Sequence, residues 1–360
     1  MSHHIENNQL AWKGAQPWHG LGFEVPANAT GAEMLKIAGL DWKVQRRALA
    51  MRGKDGSGLL ADPLKEFRAI VRSDTDQVFQ VASNCYQIVQ NQEIADFFKE
   101  YCEAGHAQIE TVGGLNGGSR IWALAKLNGG SDATLGGVDD LRGYLLIATS
   151  HDGSLTTVAK ATNVRVVCWN TLSAALGLHG DGSKLGKKQQ KEFRLRHSSK
   201  WTPERAAEAK AVMGIAIEQI QASNELADKL AKVELDEKGR LQFVQQVLKA
   251  NGSIVDAVVE QSSKSLLDQV LDNHAVSATT EEDLGRVGKA IIESIISSPG
   301  SDLPTAKNTL WGAVNGVTHY VDHVRGRSQD TRLTNAWFGA GDKLKGDAVQ
   351  VAQQIAGLSA

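Results

Sequence analysis

The sequence predicts an α+β core, built from antiparallel hairpins and helices, that is followed by an all-helical region. Over residues 1–180, short runs of β-branched and aromatic residues alternate with turn-forming glycine, asparagine and aspartate, which is typical of hairpins. Amphipathic helices are interleaved with these runs. From Thr202 onward, apolar residues recur only at helical spacing. We therefore expect a core at 1–180, a basic connector at 181–201 and a helical region at 202–360.

The elements of the core follow from capping residues and spacing. Thr30 and Glu33 form a capping-box pattern, which predicts a short helix that ends at Gly39. A second helix is predicted from Asn91 to Gly105, because apolar residues recur there at positions i, i+3, i+4 and i+7. The β-rich runs predict strands at 67–71, 77–82, 109–112, 120–127, 144–149, 155–161 and 163–169.

The second half of the chain is predicted to be helical. Asn170 is expected to cap a helix directly after the last strand. Thr202 places a capping hydroxyl before Pro203, and this pair predicts the start of a helix of roughly thirty residues. Further helices are predicted near 239–250, 254–272, 281–297, 305–325 and 342–356. Several of them are amphipathic with more than one face to bury, so we expect this region to support a homo-oligomer larger than a dimer.

The composition is that of a folded globular protein in a reducing compartment. The chain has 360 residues, of which 42% are hydrophobic and 22% are charged. Its three cysteines are scattered and form no CxxC pair, which argues against disulfides. The start of the chain is not typical of a signal peptide, and no apolar run approaches the roughly 20 residues of a membrane span. We expect a cytoplasmic protein without a membrane partner.

Positive charge is concentrated in one segment, although the net charge of the chain is −2. Residues 184–200 contain seven lysines and arginines against one acidic residue, Glu192. These cations could displace counterions from a DNA backbone, with Phe193 and Trp201 offering faces for base stacking. The alternative is a solvated interdomain linker, which is the usual role of a block of like charge. The cations of this segment are Lys184, Lys187, Lys188, Lys191, Arg194, Arg196 and Lys200.

Two further groups of residues are weaker candidates for contact with nucleic acid. Lys160, Arg165 and Trp169 lie close together in the sequence, and the last two share one face of a predicted strand. The alternative for them is an Arg165 that pairs with a carboxylate at an interface and a Trp169 that belongs to the core. A second basic group could support a DNA groove or a subunit contact, and it consists of Lys43, Arg46, Arg47, Arg52 and Lys54.

The enzyme-like signals do not combine into an active site. His319 and His323 have the spacing of zinc proteases, but Tyr320 stands where the catalytic glutamate would be. The consecutive residues of the segment 150–152 (Ser-His-Asp) point in different directions and predict a turn. The glycines of 180–186 do not have the spacing of a dinucleotide site, and no GxxxxGK phosphate loop occurs. We expect no catalytic residue, no cofactor and no bound metal.

Three stretches of the chain resemble the phage/plasmid-like family of a widespread domain of unknown function. The stretches are Pro17–Gly22 (PWHGLG), Ser150–Gly153 (SHDG) with Arg165–Leu172 (RVVCWNTL), and His319–His323 (HYVDH) with Asn335–Gly339 (NAWFG). The strand–hairpin–strand–helix core of this family is also similar to that of the single-strand annealing proteins of phage recombination. Those proteins form rings or filaments that hold single-stranded DNA in a basic groove.

This resemblance implies ATP-independent binding and annealing of single-stranded DNA in phage or plasmid recombination. The protein would hold the DNA backbone on lysines and arginines while the bases stay exposed for pairing. The alternative is a non-catalytic phage or plasmid interaction protein that binds a host factor, in which case the basic connector is only a linker.

Overall fold

The structure is a computed structural model. It describes residues 9–14, 22–52, 59–60, 65–165, 170–173, 192–214, 216–252, 284–326, 332, 335–337 and 339–358. The chain divides into two compact units. Unit 1 comprises residues 1–131, 143–161 and 189–218, and unit 2 comprises residues 132–142, 162–188 and 219–360.

The described residues form fourteen strands and nine α-helices. The strands are β1 (Leu10–Trp12), β2 (Phe23–Glu24), β3 (Val44–Arg47), β4 (Met51–Arg52), β5 (Leu59–Leu60), β6 (Phe67–Arg72), β7 (Val78–Ser83), β8 (Ala107–Leu115), β9 (Arg120–Leu127), β10 (Ala133–Leu135), β11 (Asp139–Ser150), β12 (Thr157–Arg165), β13 (Asn170–Ser173) and β14 (Glu192–Leu195). The helices are α1 (Gly31–Ile37), α2 (Asn91–Asp96), α3 (Lys99–Glu103), α4 (Pro203–Gly214), α5 (Ala216–Ala231), α6 (Glu237–Ala250), α7 (Gly285–Ser297), α8 (Leu310–His319) and α9 (Ala340–Ile355). A π-helical turn, Tyr320–Val324, follows α8 directly.

The main sheet of unit 1 is mixed. β2 pairs with β1 in parallel, whereas β1 with β8, β8 with β9, and β9 with the second part of β11 pair in antiparallel fashion. The β8–β9 hairpin was predicted from its glycine-rich turn, in which Asn116 and Gly117 both have a positive φ. A second, antiparallel sheet has the order β3-β6-β7, and β4 pairs with β5.

Helix α1 forms as its capping box predicts. The backbone N–H and the hydroxyl of Thr30 both donate to the Glu33 carboxylate, at 2.7 and 2.9 Å, and the Glu33 N–H donates back to the hydroxyl. Met34 and Leu35 are fully buried on the inner face of the helix. The second predicted helix is divided into α2 and α3, and its apolar residues Ile94 and Phe98 are buried as the spacing indicated.

Unit 2 is organised around α8. Every residue of this helix from Leu310 to Thr318 is buried, and α7, α9 and the π-helical turn pack against it. Close packing depends on glycine, because a Cβ added at Gly316 would lie 2.2 Å from the Ile295 side chain and 2.6 Å from its Cα. The helix begins at the cap residue Thr309, whose hydroxyl accepts from the Gly312 N–H.

The predicted fold class is wrong in two respects. The core is not purely antiparallel, because β1 and β2 pair in parallel. The C-terminal helices do not form an all-helical region, because unit 2 also contains β10, β13 and the parts of β11 and β12 that pair with them. Asn170 begins strand β13 instead of capping a helix, since the end of β12 offers residues 170–173 a ladder of hydrogen bonds.

The remaining helices correspond partly to the predicted ones. The helix of about thirty residues after Thr202 is present as α4 and α5. The predicted helix at 254–272 lies outside the described residues. Among the residues that the structure describes, no helix is both long and apolar enough to cross a membrane.

Candidate nucleic-acid interface

Part of the basic connector is an ordered strand of unit 1. β14 pairs with the first residues of β12, with Phe193 opposite Ala159. Because side chains alternate along a strand, Phe193 and Leu195 are buried at 5% and 4% exposure, whereas Arg194 and Arg196 are exposed. The strand therefore carries Arg194 on its solvent side, and Arg196, directly after its last residue, is exposed as well.

The chain after β14 is fixed by His197. Its Nε2 lies 2.9 Å from the carbonyl oxygen of Leu155, and its Nδ1 lies 3.1 Å from that of Gln87. The ring of Tyr86 also stacks on His197, with centroids 4.7 Å apart and planes inclined by 21°. These contacts hold the basic segment on the body of unit 1.

Tyr86 also links this segment to the second basic group of the sequence. The Arg46 guanidinium on β3 donates to the Tyr86 carbonyl oxygen, and the Tyr86 hydroxyl donates to the Ser150 carbonyl oxygen at 2.9 Å. Burial raises the pKa of the Tyr86 hydroxyl, so it stays a neutral donor. Arg46 contacts Tyr86, and three further exposed cations of unit 1 lie within three residues of His197 in the chain. We call these four residues the basic patch: Arg46, Arg194, Arg196 and Lys200.

The aromatic side chains near the basic patch are occupied by packing. Trp201 is half-buried, with its ring centroid 5.8 Å from that of Phe97 and 6.0 Å from that of Phe193. Phe193 is buried, so it offers no face to a nucleic-acid base. The base-stacking role proposed for Phe193 on sequence grounds therefore has no exposed ring to act through.

Lys160 and Arg165 of the predicted site are buried, at 6% and 1% exposure. The Arg165 Nη2 lies 2.8 Å from Oδ2 of Asp139, and its Nε donates to the same carboxylate. Thr305 and Trp311 also donate to Asp139, each at 3.1 Å. Arg165 therefore pairs with a carboxylate, as its alternative had it, but the pair is buried inside unit 2 and not at an interface. Five predicted contact residues lie outside the described residues: Trp169, Lys184, Lys187, Lys188 and Lys191.

The turn at Ser150, His151 and Asp152 has no catalytic geometry. The Ser150 hydroxyl bonds to the backbone of Leu155, the His151 Nε2 lies 2.8 Å from the Asn91 side-chain oxygen, and Asp152 accepts from two serines. The three side chains diverge, as the sequence predicted. Burial, and secondarily the nearby His197, lower the pKa of His151 to about 3, so this imidazole is neutral in the folded protein.

His319 and His323 come together in unit 2, with ring centroids 4.9 Å apart. Burial and the neighbouring His323 lower the pKa of His319 to about 4. Asp322 between them is engaged by the buried Lys345 ammonium at 3.0 Å. In the part of the chain that the structure describes, no three metal-binding side chains gather at one point, so the pair lacks the further protein ligands that zinc needs.

Comparison with curated proteins and with solved structures gave no match. The model of one protein family, described as a domain of unknown function (DUF932), matches residues 78–337. This span is more than half of the chain and includes the Ser150–Gly153 turn, β14 and the His319–His323 pair. The chain therefore belongs to the DUF932 family.

Proposed function

We propose that this protein binds single-stranded DNA without ATP and anneals complementary strands in phage or plasmid recombination, as a homo-oligomer. The observation that carries the proposal is the basic patch. Arg194 lies on the solvent side of β14, the exposed Arg196 directly follows this strand, and His197 fixes the chain after them. This arrangement supports a contact surface better than it supports a flexible linker.

Arginines at a fixed spacing suit a phosphate backbone. The planar guanidinium group donates two parallel hydrogen bonds to phosphate oxygens and is weakly hydrated, so it is desolvated at low cost. Each phosphate that it neutralises releases counterions, which favours binding to any sequence. A backbone held in this way would leave its bases free.

The packing of the aromatic residues near the basic patch supports annealing. Trp201 packs on both Phe193 and Phe97, so the bases of a bound DNA strand would not be drawn into stacks with Trp201 or Phe193. Unstacked bases remain available for a complementary strand. Such a mechanism needs no proton transfer, nucleophile or nucleotide hydrolysis. Family membership alone does not establish it, because function belongs to a site and not to a fold.

The test is the salt dependence of binding to a fluorescent single-stranded oligonucleotide, measured by anisotropy. Replacing Arg194 and Arg196 with Gln should weaken binding to all sequences and flatten the plot of log affinity against log salt by about 1.4, at about 0.7 per phosphate contact. The matched control replaces Lys238 and Arg286, two exposed cations of unit 2, with Gln. An unchanged slope in the Arg194/Arg196 variant, or a wild-type protein that binds no DNA, would refute the proposal and favour the host-factor alternative.

Strand β7 supports the self-assembly part of the proposal. It is an edge strand of the β3-β6-β7 sheet among the described residues, with Val78 and Val81 exposed at 56% and 54%. Residues 77–92 contain no charged side chain, so an identical strand would meet no like-charge repulsion. Edge strands of monomers are usually protected by charge or proline. We infer that β7 pairs with β7 of a second copy and supplies one contact of the oligomer.

Light scattering coupled to size exclusion tests this inference. The wild-type protein should elute as a homo-oligomer larger than a dimer. Val81→Lys places a charge on the edge of β7 and should reduce the measured mass of the oligomer. Val287→Lys, at an exposed apolar residue of α7, should leave that mass unchanged. A monomeric wild type at micromolar concentration would count against self-assembly, and equal masses for the two variants would remove β7 from the contact.

A further inference from the structure

Lys13 is a buried lysine of unit 1 with little compensation for its charge. It directly follows β1, and its side chain is only 7% exposed. The ammonium group donates one hydrogen bond, to the Ala29 carbonyl oxygen at 2.7 Å. An ammonium group has three donors, and among the described residues no carboxylate lies within ion-pair distance of this one. Lysine is almost never buried without a partner.

A cavity opens beside this side chain. It has a volume of about 610 Å³ and lies wholly within unit 1. Its walls are Lys13, the segment 27–32, residues of α2 and α3 that include Ala95 and Cys102, and the beginning of β8. Nine of the seventeen wall residues are Ala, Gly, Thr or Cys, and the volume suits a ligand of the size that binding pockets of about 300–1,000 Å³ accept. The wall also contains Asp96, which accepts from Gln92, and the exposed ion pair of Lys99 and Glu103.

The nearby acidic groups do not satisfy the ammonium. Cys102, Glu110 and Glu33 act on it only electrostatically, and burial lowers its pKa more than they raise it. The Glu33 carboxylate is occupied by the cap of α1, and the Glu110 carboxylate accepts from the Tyr144 hydroxyl at 2.7 Å. Oxygen acceptors for the two remaining donors would therefore have to come from the cavity.

We propose that the cavity binds a small molecule through a carboxylate or phosphate group that accepts hydrogen bonds from Lys13. A negatively charged group would supply both the missing acceptors and the counter-charge of a buried cation. The rest of the molecule would lie against the small residues of the wall. This site is separate from the basic patch, and the inference does not depend on DNA binding.

Thermal unfolding of the full chain with paired probes tests the site. The phosphate probe is a nucleoside 5′-monophosphate with the neutral nucleoside as its pair, and the carboxylate probe is benzoate with benzamide as its pair. At constant ionic strength and about 10 mM, an anion with a Kd of about 1 mM should raise the midpoint by about 3 °C, and its neutral pair should not.

Variants assign the effect to Lys13. Lys13→Met should abolish the rise in the unfolding midpoint. The midpoint without ligand should be equal to or higher than that of the wild type, because an apolar side chain of similar shape replaces a buried charge. Lys36→Met, on the exposed side of α1, should keep the rise. Lys13→Gln, which keeps donors without the charge, replaces Lys13→Met if that variant does not fold. The proposal is overturned if neither anion acts differently from its neutral pair, or if the rise survives substitution of Lys13.

Discussion

His151 shows how one buried polar residue links the fold of unit 1 to pH. Its ring is buried against Trp42 and Phe79, and its Nε2 lies within hydrogen-bond distance of the Asn91 side-chain oxygen. Burial keeps the imidazole neutral in the folded protein, with a pKa of about 3. In the unfolded chain the same group titrates near its ordinary pKa of about 6.5. Below that pH the unfolded state therefore binds a proton that the folded state does not.

We expect the stability of the protein to fall as the pH is lowered from 6.5, with a slope from His151 that approaches about 1.4 kcal/mol per pH unit. His151→Gln keeps an amide partner for Asn91 and should flatten the slope, whereas His106→Gln, at an exposed position, should not. Urea unfolding between pH 7 and pH 5 measures it. His319 adds a slope of the same sign, which both variants retain. Equal slopes in the wild type and His151→Gln would exclude this role.

Arg165 shows what the sequence could not decide at the residue scale. Strand alternation placed Arg165 and Trp169 on one face of a predicted strand, because local spacing decides that, whereas strand β14 was not predicted. Whether a strand face is covered depends on distant residues. Arg165 is covered by Asp139, 26 positions earlier, and that carboxylate is shared with Thr305 and Trp311, 166 and 172 positions later. No local pattern contains such partners.

At the scale of elements, the sequence correctly predicted those helices and hairpins whose stabilising contacts lie within a few residues. The capping box of α1 and the glycine-rich turn of the β8–β9 hairpin are satisfied within a few residues of chain. The same reasoning was wrong for Asn170–Ser173, where it predicted the start of a helix and the structure has strand β13. An asparagine suits the start of a helix, but here the end of β12 offers it a strand ladder, and pairing outweighs a preference of about 1 kcal/mol.

The packing of α8 on α7 gives a prediction for Gly316. Alanine favours a helix over glycine by about 1 kcal/mol. Here its Cβ would overlap both the side chain and the backbone of Ile295, so α7 must move as a unit. Overpacking of this kind costs about 1–3 kcal/mol or more, and we expect Gly316→Ala to destabilise the protein by about 2 kcal/mol.

Chemical denaturation measures the change in unfolding free energy for Gly316→Ala. Glu293→Ala, on the solvent side of α7, serves as the control and should stay within about 0.5 kcal/mol of the wild type. A stability of Gly316→Ala equal to or above that of the wild type would mean that α7 and α8 do not approach this closely in solution.

For the whole molecule, the distribution of charge predicts which part of the chain attracts DNA. Residues 201–360 carry a net charge of −5 and residues 1–200 a net charge of +3. The basic patch belongs to unit 1, and the connector lysines immediately precede β14 in the chain. A long-range field attracts a polyanion to such a region before any specific contact forms. Binding of single-stranded DNA should therefore involve both the basic patch and the connector lysines that precede β14.

The connector lysines provide the last prediction. If Lys187, Lys188 and Lys191 contact phosphates, replacing all three with Ala should weaken single-strand binding for every sequence and flatten the salt slope by about two units, at about 0.7 per contact. The fold should be unaffected, and circular dichroism and the unfolding midpoint check this. Anisotropy titrations across salt, run beside the Arg194/Arg196 variant, measure the slopes.

The two variants together separate a connected surface from a linker. A surface predicts that the losses of slope add, because each cation displaces its own counterions. A linker predicts that the triple variant keeps the wild-type affinity and slope while the Arg194/Arg196 variant loses both, since solvated lysines displace nothing on binding. That second result would confine the DNA contact to the basic patch and remove Lys187, Lys188 and Lys191 from the site.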